Sequence, residues 1–336
     1  MQWSRKAILI AAGLSAFAIA GAVLLYSGYR RSDLPDAAPP PELLSEVPGG
    51  APTLIYIDLA AIRASNFYRQ RPDRGPITIP DKNYADFIQS TGFDFEKDLD
   101  RVVIASWPAS PSSDQKKTVA VAEGRFDRVK IRDYAMRKGK IDHQQGHEVF
   151  LFPIDDRKSW DAVTFLDDHR IALVEGSSIA PLLERHGDAP ASDPARERAA
   201  RVSGAAVFVV SRVPASPENF APGGAQAAQL AKLARSLQWI TLAARPEGRD
   251  LRVSLEGECA TRTDALQVQA ALEILRLFGR AALESPKTQQ SMDPATYAVL
   301  ETLLKSAEIT QTDQQVRVLV ELTPDVLKLS GPRKTQ

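Results

Sequence analysis

The stretch that decides the fold is Trp239–Gly257, WITLAARPEGRDLRVSLEG, with the segment Thr261–Leu283 that follows it. Apolar and polar residues alternate on both sides of Pro246-Glu-Gly248, which is the pattern of two antiparallel strands joined by a turn. The second segment predicts a long amphipathic helix, because four apolar residues recur at helical spacing. These residues are Leu266, Ala270, Ile274 and Leu277.

A hairpin followed by a helix is predicted three times along the chain, at Ala162–Glu184, Trp239–Phe278 and Glu308–Leu329. The hydrophobic alternation of the last two copies is in step, which indicates an internal repeat. A hairpin that is apolar on one face must bury that face, and helices lying on one side of an antiparallel sheet do this. We therefore expect an α+β fold: two-layer antiparallel sheet and helix subdomains built from repeated hairpin–helix units.

Composition excludes several classes of protein. The 336 residues include 42 Lys+Arg and 42 Asp+Glu, so the formal net charge is zero, which argues against a basic nucleic-acid binder. Hydrophobic residues make up 44% of the chain, enough for one or two packed cores. Cys259 is the single cysteine, so an intramolecular disulfide is impossible.

An apolar run lies near the start of the chain. Ala7–Ser27, AILIAAGLSAFAIAGAVLLYS, has 21 residues without a charge, and a helix of that length matches a hydrocarbon core of about 30 Å. It predicts an N-terminal transmembrane helix, a signal-anchor of a single-pass protein whose remaining chain is extracytoplasmic, periplasmic or outside. A signal peptide cleaved before Gly21 is the alternative. The spacing of Ala12, Ala16 and Ala20 would also suit self-association of this helix.

The rest of the chain divides by composition. Residues 1–6 are a short flank before the apolar run, and residues 28–52 form a Pro-rich spacer. A first α+β subdomain is expected over residues 53–187 and a second over residues 201–330. A polar, proline-containing connector of residues 188–200 separates them, and residues 331–336 are a tail.

Four pieces of the first half resemble uncharacterised bacterial envelope proteins. They are VPGGAPTLIYIDLAAIRAS (Val47–Ser65), TGFDFEKDLDRVVIA (Thr91–Ala105), AVAEGRFDRVKIRDYA (Ala120–Ala135) and IALVEG (Ile171–Gly176). The resemblance implies membrane attachment and an α+β fold. It implies no activity, because that group has no known function and these pieces contain no catalytic motif.

Two sets of side chains invite a metal-site interpretation. His143 and His147 are four residues apart, but Gly146 lies between them and no third ligand is evident, so a polar turn is favoured. Four alternating acidic residues suggest calcium, but Leu99 stands where an EF-hand loop needs glycine, and a solvated connection is favoured. These residues are Asp94, Glu96, Asp98 and Asp100.

Other candidate sites are weaker still. Gly176-Ser177-Ser178 could hold an anion before a helix, although helix capping by a serine is favoured. A group of arginines could meet anionic lipid or an acidic partner, and Phe220 could be a contact point, but a solvated loop and a core contact are the favoured interpretations. The arginines are Arg63, Arg69, Arg71 and Arg74. We predict no catalytic residue, no cofactor and no metal site.

Three functions remain open from sequence alone. The leading hypothesis is a membrane-anchored binding or scaffold protein, an accessory component of an envelope assembly. The second is a membrane-tethered enzyme, hydrolase-like, with a site assembled from distant carboxylates and the loops Arg69–Asp81 and Pro214–Gly224. The third is capture of a lipid or other apolar ligand between the sheet and the long helix from Thr261. The expected partners are the membrane through Ala7–Ser27, a protein partner or a second copy, and a lipid ligand, with no nucleic acid.

Overall fold

The computed structural model describes residues 42–70, 82–107, 117–154, 159–183, 193–213, 234–292 and 294–324. Several predicted features lie outside these ranges. They are the apolar run Ala7–Ser27, most of the Pro-rich spacer, the C-terminal tail, Phe220, and the loops Arg69–Asp81 and Pro214–Gly224 apart from Arg69 and Gln70 at the start of the first loop. No helix within the described ranges is long and apolar enough to cross a membrane.

Within the described ranges the chain forms twelve strands and ten helices, with a 3-10 helix at Glu42–Glu46 before them. The strands are β1 Thr53–Asp58, β2 Leu99–Trp107, β3 Lys117–Gly124, β4 Lys140–Gln144, β5 His147–Ile154, β6 Ser159–Phe165, β7 Arg170–Glu175, β8 Val207–Arg212, β9 Leu237–Glu247, β10 Asp250–Cys259, β11 Glu308–Thr312 and β12 Gln315–Leu322. The helices are α1 Leu59–Ala64, α2 Asn66–Arg69, α3 Lys82–Thr91, α4 Phe95–Asp98, α5 Arg128–Lys138, α6 Ala180–Leu183, α7 Pro194–Arg201, α8 Arg262–Glu284, α9 Pro286–Ser291 and α10 Pro294–Ser306.

The described chain divides into two units. The first contains residues 42–61 and 82–200, and the second contains residues 62–70 and 201–324. The short helix α2 precedes most of the first unit in sequence but belongs to the second. Its Phe67 is buried there against Ala244, Val253 and Leu322.

In the first unit the strand order is β1-β2-β3-β7-β6-β5-β4, and neighbouring strands are antiparallel. Helix α5 begins at Asp127, whose carboxylate accepts a hydrogen bond from the Lys130 amide. Its Ile131 and Ala135 pack on a cluster that includes Phe150. Five consecutive residues of β6, from Asp161 to Phe165, are buried, which means that both faces of this strand are covered.

In the second unit the strand order is β8-β9-β10-β12-β11. The predicted hairpin of β9 and β10 is confirmed, with the register Leu255↔Leu242, but its turn is at residues 248–249 rather than at Pro246-Glu-Gly248. Gly248 has φ 59, a conformation that glycine adopts without the steric cost of a side chain. The predicted hairpin of β11 and β12 is also present, and β12 pairs on its other edge with β10.

The predicted fold class was wrong in its architecture. We expected an N-terminal transmembrane helix followed by two-layer antiparallel sheet and helix subdomains. No membrane-spanning helix is found in the described part of the chain, and the run Ala7–Ser27 lies outside that part. The two-layer expectation also fails in the first unit, where β6 is buried on both faces. Alternation within single hairpins does not reveal how many hairpins join one sheet, since pairing between distant strands is set by tertiary contacts.

Candidate functional site: the apolar surfaces of the second unit

The long helix α8 has 23 residues and packs one side on the sheet. It begins after Thr261, whose hydroxyl accepts a hydrogen bond from the Asp264 amide at 3.1 Å. Ala265, Val268 and Leu272 pack against a cluster of strand residues. These strand residues are Leu237, Cys259, Ile309 and Val316. This inner side holds α8 on the sheet.

The second half of α8 packs against α10. A Cβ placed on Gly279 would lie 3.0 Å from a methyl carbon of Leu304, so the two helices approach closely at this glycine. On the same half of α8, Arg276 donates a hydrogen bond from Nη1 to the Ala307 carbonyl at 2.7 Å. Contacts in both halves of α8 therefore fix which side of the helix faces the sheet.

The opposite side of α8 is exposed and largely apolar, with the polar Gln267 also exposed on it. Its large residues are Leu266, Ile274, Leu277 and Phe278, which are 48%, 52%, 58% and 70% exposed. Ala270 and Ala281 are exposed between them. With about 100° of rotation per residue, these six residues occupy roughly one third of the helix circumference and about 22 Å of its length. We call these six residues the outer face of α8.

The predicted long helix is present. The four residues whose spacing indicated its apolar face, Leu266, Ala270, Ile274 and Leu277, are all exposed. A second apolar set, Ala265, Val268 and Leu272, makes the sheet contact instead. A helix that is apolar on two sides has more than one way to pack, and periodicity alone does not select between them.

The charged residues of α8 balance each other. The helix sequence contains three basic residues, Arg262, Arg276 and Arg280, and three acidic residues, Asp264, Glu273 and Glu284. Arg276 and Glu273 form an ion pair at 2.9 Å, and Arg276 also bonds the Ala307 carbonyl, on the side of the helix away from Ile274. The helix thus presents an apolar face without a net charge around it.

A second apolar feature crosses the sheet of this unit. Residues paired in register across five strands are all apolar: Val209, Leu242, Leu255, Val318 and Ile309. Directly paired residues point to the same face of a sheet, so they form one continuous row. Leu255, at the centre, is 39% exposed, and Ile309, at the end, packs on the cluster beneath α8. We call this set the sheet row.

The first unit contains a cleft of about 460 Å³. Two of the segments that carry the family resemblance meet there, since Phe93 stacks on Phe126 with ring centroids 5.4 Å apart. Two ion pairs lie on its wall: Arg125 is 3.4 Å from Asp98 and Lys130 is 3.1 Å from Asp127. Asp168 and His169 also line the cleft.

A row of alternating charge also crosses the first unit, through the register pairs of Asp58 with Arg101, Arg101 with Glu123, and Glu123 with Arg170. Arg101 and Glu123 are 2.5 Å apart. Burial raises the pKa of the neighbouring Tyr56 hydroxyl, and the Asp58 carboxylate adds to the rise. Opposite charges in register stabilise strand pairing, so this row has a structural role.

The residues that suggested a metal site are not brought together. His143 and His147 lie on β4 and β5, on either side of the Gln145-Gly146 turn. Asp94 caps α4, accepting a hydrogen bond from the Glu96 amide. Among the residues that the structure describes, no group of three or more His, Cys, Asp and Glu side chains is placed to hold a metal ion.

The remaining predicted positions have local roles or fall outside the description. Ser178 accepts a hydrogen bond from the Ala180 amide at the start of α6, and the Ser177 carbonyl accepts one from Gln144. Arg69 donates to the Ala64 carbonyl at 2.7 Å, and Arg63 is half-buried on α1. Arg71 and Arg74 lie outside the described residues.

Sequence analysis did not single out Asp161, which is the most perturbed carboxyl group of the first unit. It is 4% exposed on β6, and its Oδ1 atom accepts no hydrogen bond from the described residues. Burial raises its pKa to about 7, with a further contribution from the nearby Glu175 carboxylate, while the Gly176 amide opposes the rise. The only available signal was an acidic residue inside an apolar strand, SWDAVTF.

No protein-family model and no curated protein sequence matches this chain. Among solved structures, the chain is similar to the Treponema protein TP0453 in crystal form III, with a TM-score of 0.50 and 13% identity. That match covers 87% of this chain and 97% of the other. Crystal forms I and IV of TP0453 give TM-scores of 0.44 at 11% and 12% identity, over 87% and 86% of this chain and 96% of the other. At this identity the likeness to crystal form III shows a shared fold.

Proposed function

We propose that this protein is an envelope-associated binding protein, an accessory component that acts by contact through the outer face of α8. The observation that carries the proposal is the exposure of four large apolar side chains on one side of a helix whose other side is packed. The fold shared with TP0453, an envelope-associated protein, supports the location.

The free-energy cost of exposing these apolar side chains to water supports a contact at this face. Burying one Leu, Ile or Phe side chain contributes about 1.5–3 kcal/mol, and the outer face leaves four such side chains between 48% and 70% exposed. Clustered apolar exposure of this size marks an interaction surface, whereas single exposed apolar residues are ordinary. Met136 on α5 is of the ordinary kind, because charged residues neighbour it on its own helix.

The test is photo-crosslinking in cells with the full-length chain. A photoreactive amino acid at Leu277 is expected to yield a discrete covalent adduct, because a contact partner lies against the outer face. The matched control is the same amino acid at Met136, which is also 58% exposed but isolated. Adducts at Leu277 and not at Met136 support the proposal. Equal adducts at both positions, or none at Leu277, overturn it.

A second function is favoured by the sheet row. Five apolar residues in register, with Leu255 partly exposed at the centre, form a surface on which an acyl chain would fit beside α8. Native mass spectrometry of protein purified in mild detergent tests this: a lipid that stays bound, and is lost in Leu255→Glu, supports ligand capture. Bound lipid that is unaffected by this substitution, or no bound lipid, excludes capture at this row.

A further inference from the structure

We propose that residues 176–183 form a latch on the first unit, which is closed while the Asp161 carboxyl holds its proton and opens when that proton passes to water. The latch begins at Gly176, directly after β7, and ends with α6. The latch and Asp161 both belong to the first unit. The inference goes beyond the proposed function, because the outer face of α8 belongs to the second unit.

The closed latch keeps apolar side chains away from water. Ile179 and Leu182 are 0% and 1% exposed. Helix α6 lies against β3 and β7, and the register pair Val119 and Val174 of these strands is fully buried. Opening the latch therefore exposes Ile179 and Leu182, and clustered apolar exposure of this kind marks an interaction surface.

One side chain of β4 holds the latch closed. The Gln144 side chain donates a hydrogen bond from Nε2 to the Ser177 carbonyl at 2.8 Å, and its Oε1 accepts one from the Ile179 amide at 2.9 Å. The same Nε2 donates to the Asp142 carboxylate at 2.9 Å, which orients the amide group. Hydrogen bonds to a single side chain can be exchanged for hydrogen bonds to water, so the latch can open while the sheet stays paired.

Gly176 is the hinge of the latch, and it lies directly against Asp161. Its φ of 113 is a conformation that residues with a side chain rarely adopt. Its amide donates a hydrogen bond to the Trp160 carbonyl at 3.0 Å, and Gly176 forms an isolated parallel bridge with Asp161. A change of charge at Asp161 is therefore felt at the hinge.

Asp161 lies where a negative charge is costly. It is 4% exposed, and its Oδ1 atom accepts no hydrogen bond from the described residues. Burial raises its pKa to about 7, and the nearby carboxylate of Glu175, the residue before the hinge, adds to the rise. Ionisation of Asp161 thus places two like charges beside Gly176, and opening the latch relieves this repulsion by admitting water.

The other elements around β6 direct their charges elsewhere. On β5 the register partner of Asp161 is the apolar Phe152, on which Tyr134 of α5 packs. Lys140 of β4 lies over the Trp160 ring, 4.7 Å from its centroid. Basic side chains of α5 and β7 pair with other carboxylates: Arg128 with Glu148 at 3.9 Å, Arg132 with Glu148 at 3.3 Å, Lys138 with Asp86 at 2.9 Å, and Arg170 with Glu46 at 3.0 Å.

Hydrogen–deuterium exchange of the full-length protein in mild detergent tests the latch. Rates at each pH are divided by the intrinsic rates, which gives the equilibrium constant for opening. Asp161 has a pKa of about 7 with the latch closed and the ordinary value of 3.8 with it open. Its stabilisation of the closed latch is complete below about pH 4 and is lost as pH rises through 7, so opening should increase about tenfold from pH 6 to pH 8.5.

Urea separates this local opening from global unfolding. The amides of the latch should exchange faster than those of β3 at every pH, and low concentrations of urea should leave their exchange unchanged because little surface is exposed. The β3 amides require unfolding of the sheet, so their exchange should accelerate with urea. Latch amides as slow and as urea-sensitive as the β3 amides would show that residues 176–183 do not open by themselves, which overturns the inference.

Three variants separate the trigger from the side chain that holds the latch. Asp161→Asn should abolish the tenfold increase, whereas Asp133→Asn, at an exposed carboxylate of α5, should retain it. Glu175→Gln should move the increase to lower pH, because it removes a charge that raises the pKa of Asp161. Gln144→Ala should open the latch more at both pH values while leaving the tenfold ratio unchanged.

The wild-type protein alone can refute the inference, since equal opening of the latch at pH 6 and pH 8.5 overturns it. An increase that persists in Asp161→Asn overturns Asp161 as the trigger. If this variant does not fold, Glu175→Gln decides, and an unshifted increase counts against the inference. A failed latch leaves the outer face of α8 as a binding surface, because photo-crosslinking at Leu277 tests that role separately.

Discussion

Replacing Asp161 with asparagine should stabilise the protein above neutral pH and remove a pH dependence that the wild type has. The Asp161 carboxyl is 4% exposed, and burial raises its pKa from 3.8 to about 7. The folded state therefore holds this proton more tightly than the unfolded state, so the stabilisation it provides is complete below about pH 4. It is lost as pH rises toward 7, and above that pH the two states are equally deprotonated at this position.

The size of the effect follows from the same pKa change. A rise of about three pH units at 1.36 kcal/mol each corresponds to roughly 4 kcal/mol between pH 4 and pH 8. Asparagine has nearly the same shape and does not titrate, so it avoids the buried charge. The free energy of unfolding of Asp161→Asn minus that of the wild type should therefore increase by about 4 kcal/mol over this range.

Urea unfolding followed by circular dichroism at a series of pH values measures this difference. Asp133→Asn is the control, because Asp133 is an exposed carboxylate on α5. It should not reproduce the increase. If the difference between Asp161→Asn and the wild type stays constant from pH 4 to pH 8, the buried, unpaired state of Asp161 is refuted.

Three further predictions concern packing. Gly139→Ala should destabilise the protein by about 2 kcal/mol in urea unfolding, because its Cβ would lie 2.2 Å from the Leu151 carbonyl oxygen; no loss would contradict this contact. Phe150→Ala should cost about 3–5 kcal/mol, since Phe150 is fully buried, whereas Val129→Ala at an exposed site should be nearly neutral in the same assay. Burial raises the pKa of the Cys259 thiol, so a thiol reagent should react about 100-fold slower with native protein than in urea; equal rates would show an accessible thiol.

Hairpins and helix ends were the parts of the fold that the sequence predicted best. The β9–β10 hairpin, the start of α5 at Asp127 and its end at Gly139 were predicted and are present. Each depends on residues close together in the chain: alternation of side chains, a capping carboxylate and a glycine stop. The turn of β9–β10 was misplaced by two residues, because Pro246 and Gly248 are both turn formers and only strand register chooses between them.

The candidate site was harder to predict from the sequence. Outer-face residues such as Ile274 were identified as an apolar helix face, but the sequence did not show that this face would be exposed. The sheet row was not foreseen, because Leu242, Leu255 and Val318 are separated in sequence and meet only through strand register. Asp161 was missed for a related reason, since burial of a carboxyl depends on what covers both faces of β6.

By itself, the sequence determined the neutral charge balance, the single cysteine, the hairpins and the presence of a long helix after Thr261, since these follow from composition and local periodicity. Only the tertiary structure decided the order of the strands within each unit, that Ala265 and Val268 rather than Leu266 and Ile274 face the sheet, and that Asp161 is buried with its Oδ1 atom unsatisfied. The physical reason is that an apolar side chain gains from any apolar contact. The hydrophobic effect is not directional, so which contact forms is selected by the geometry of the whole fold.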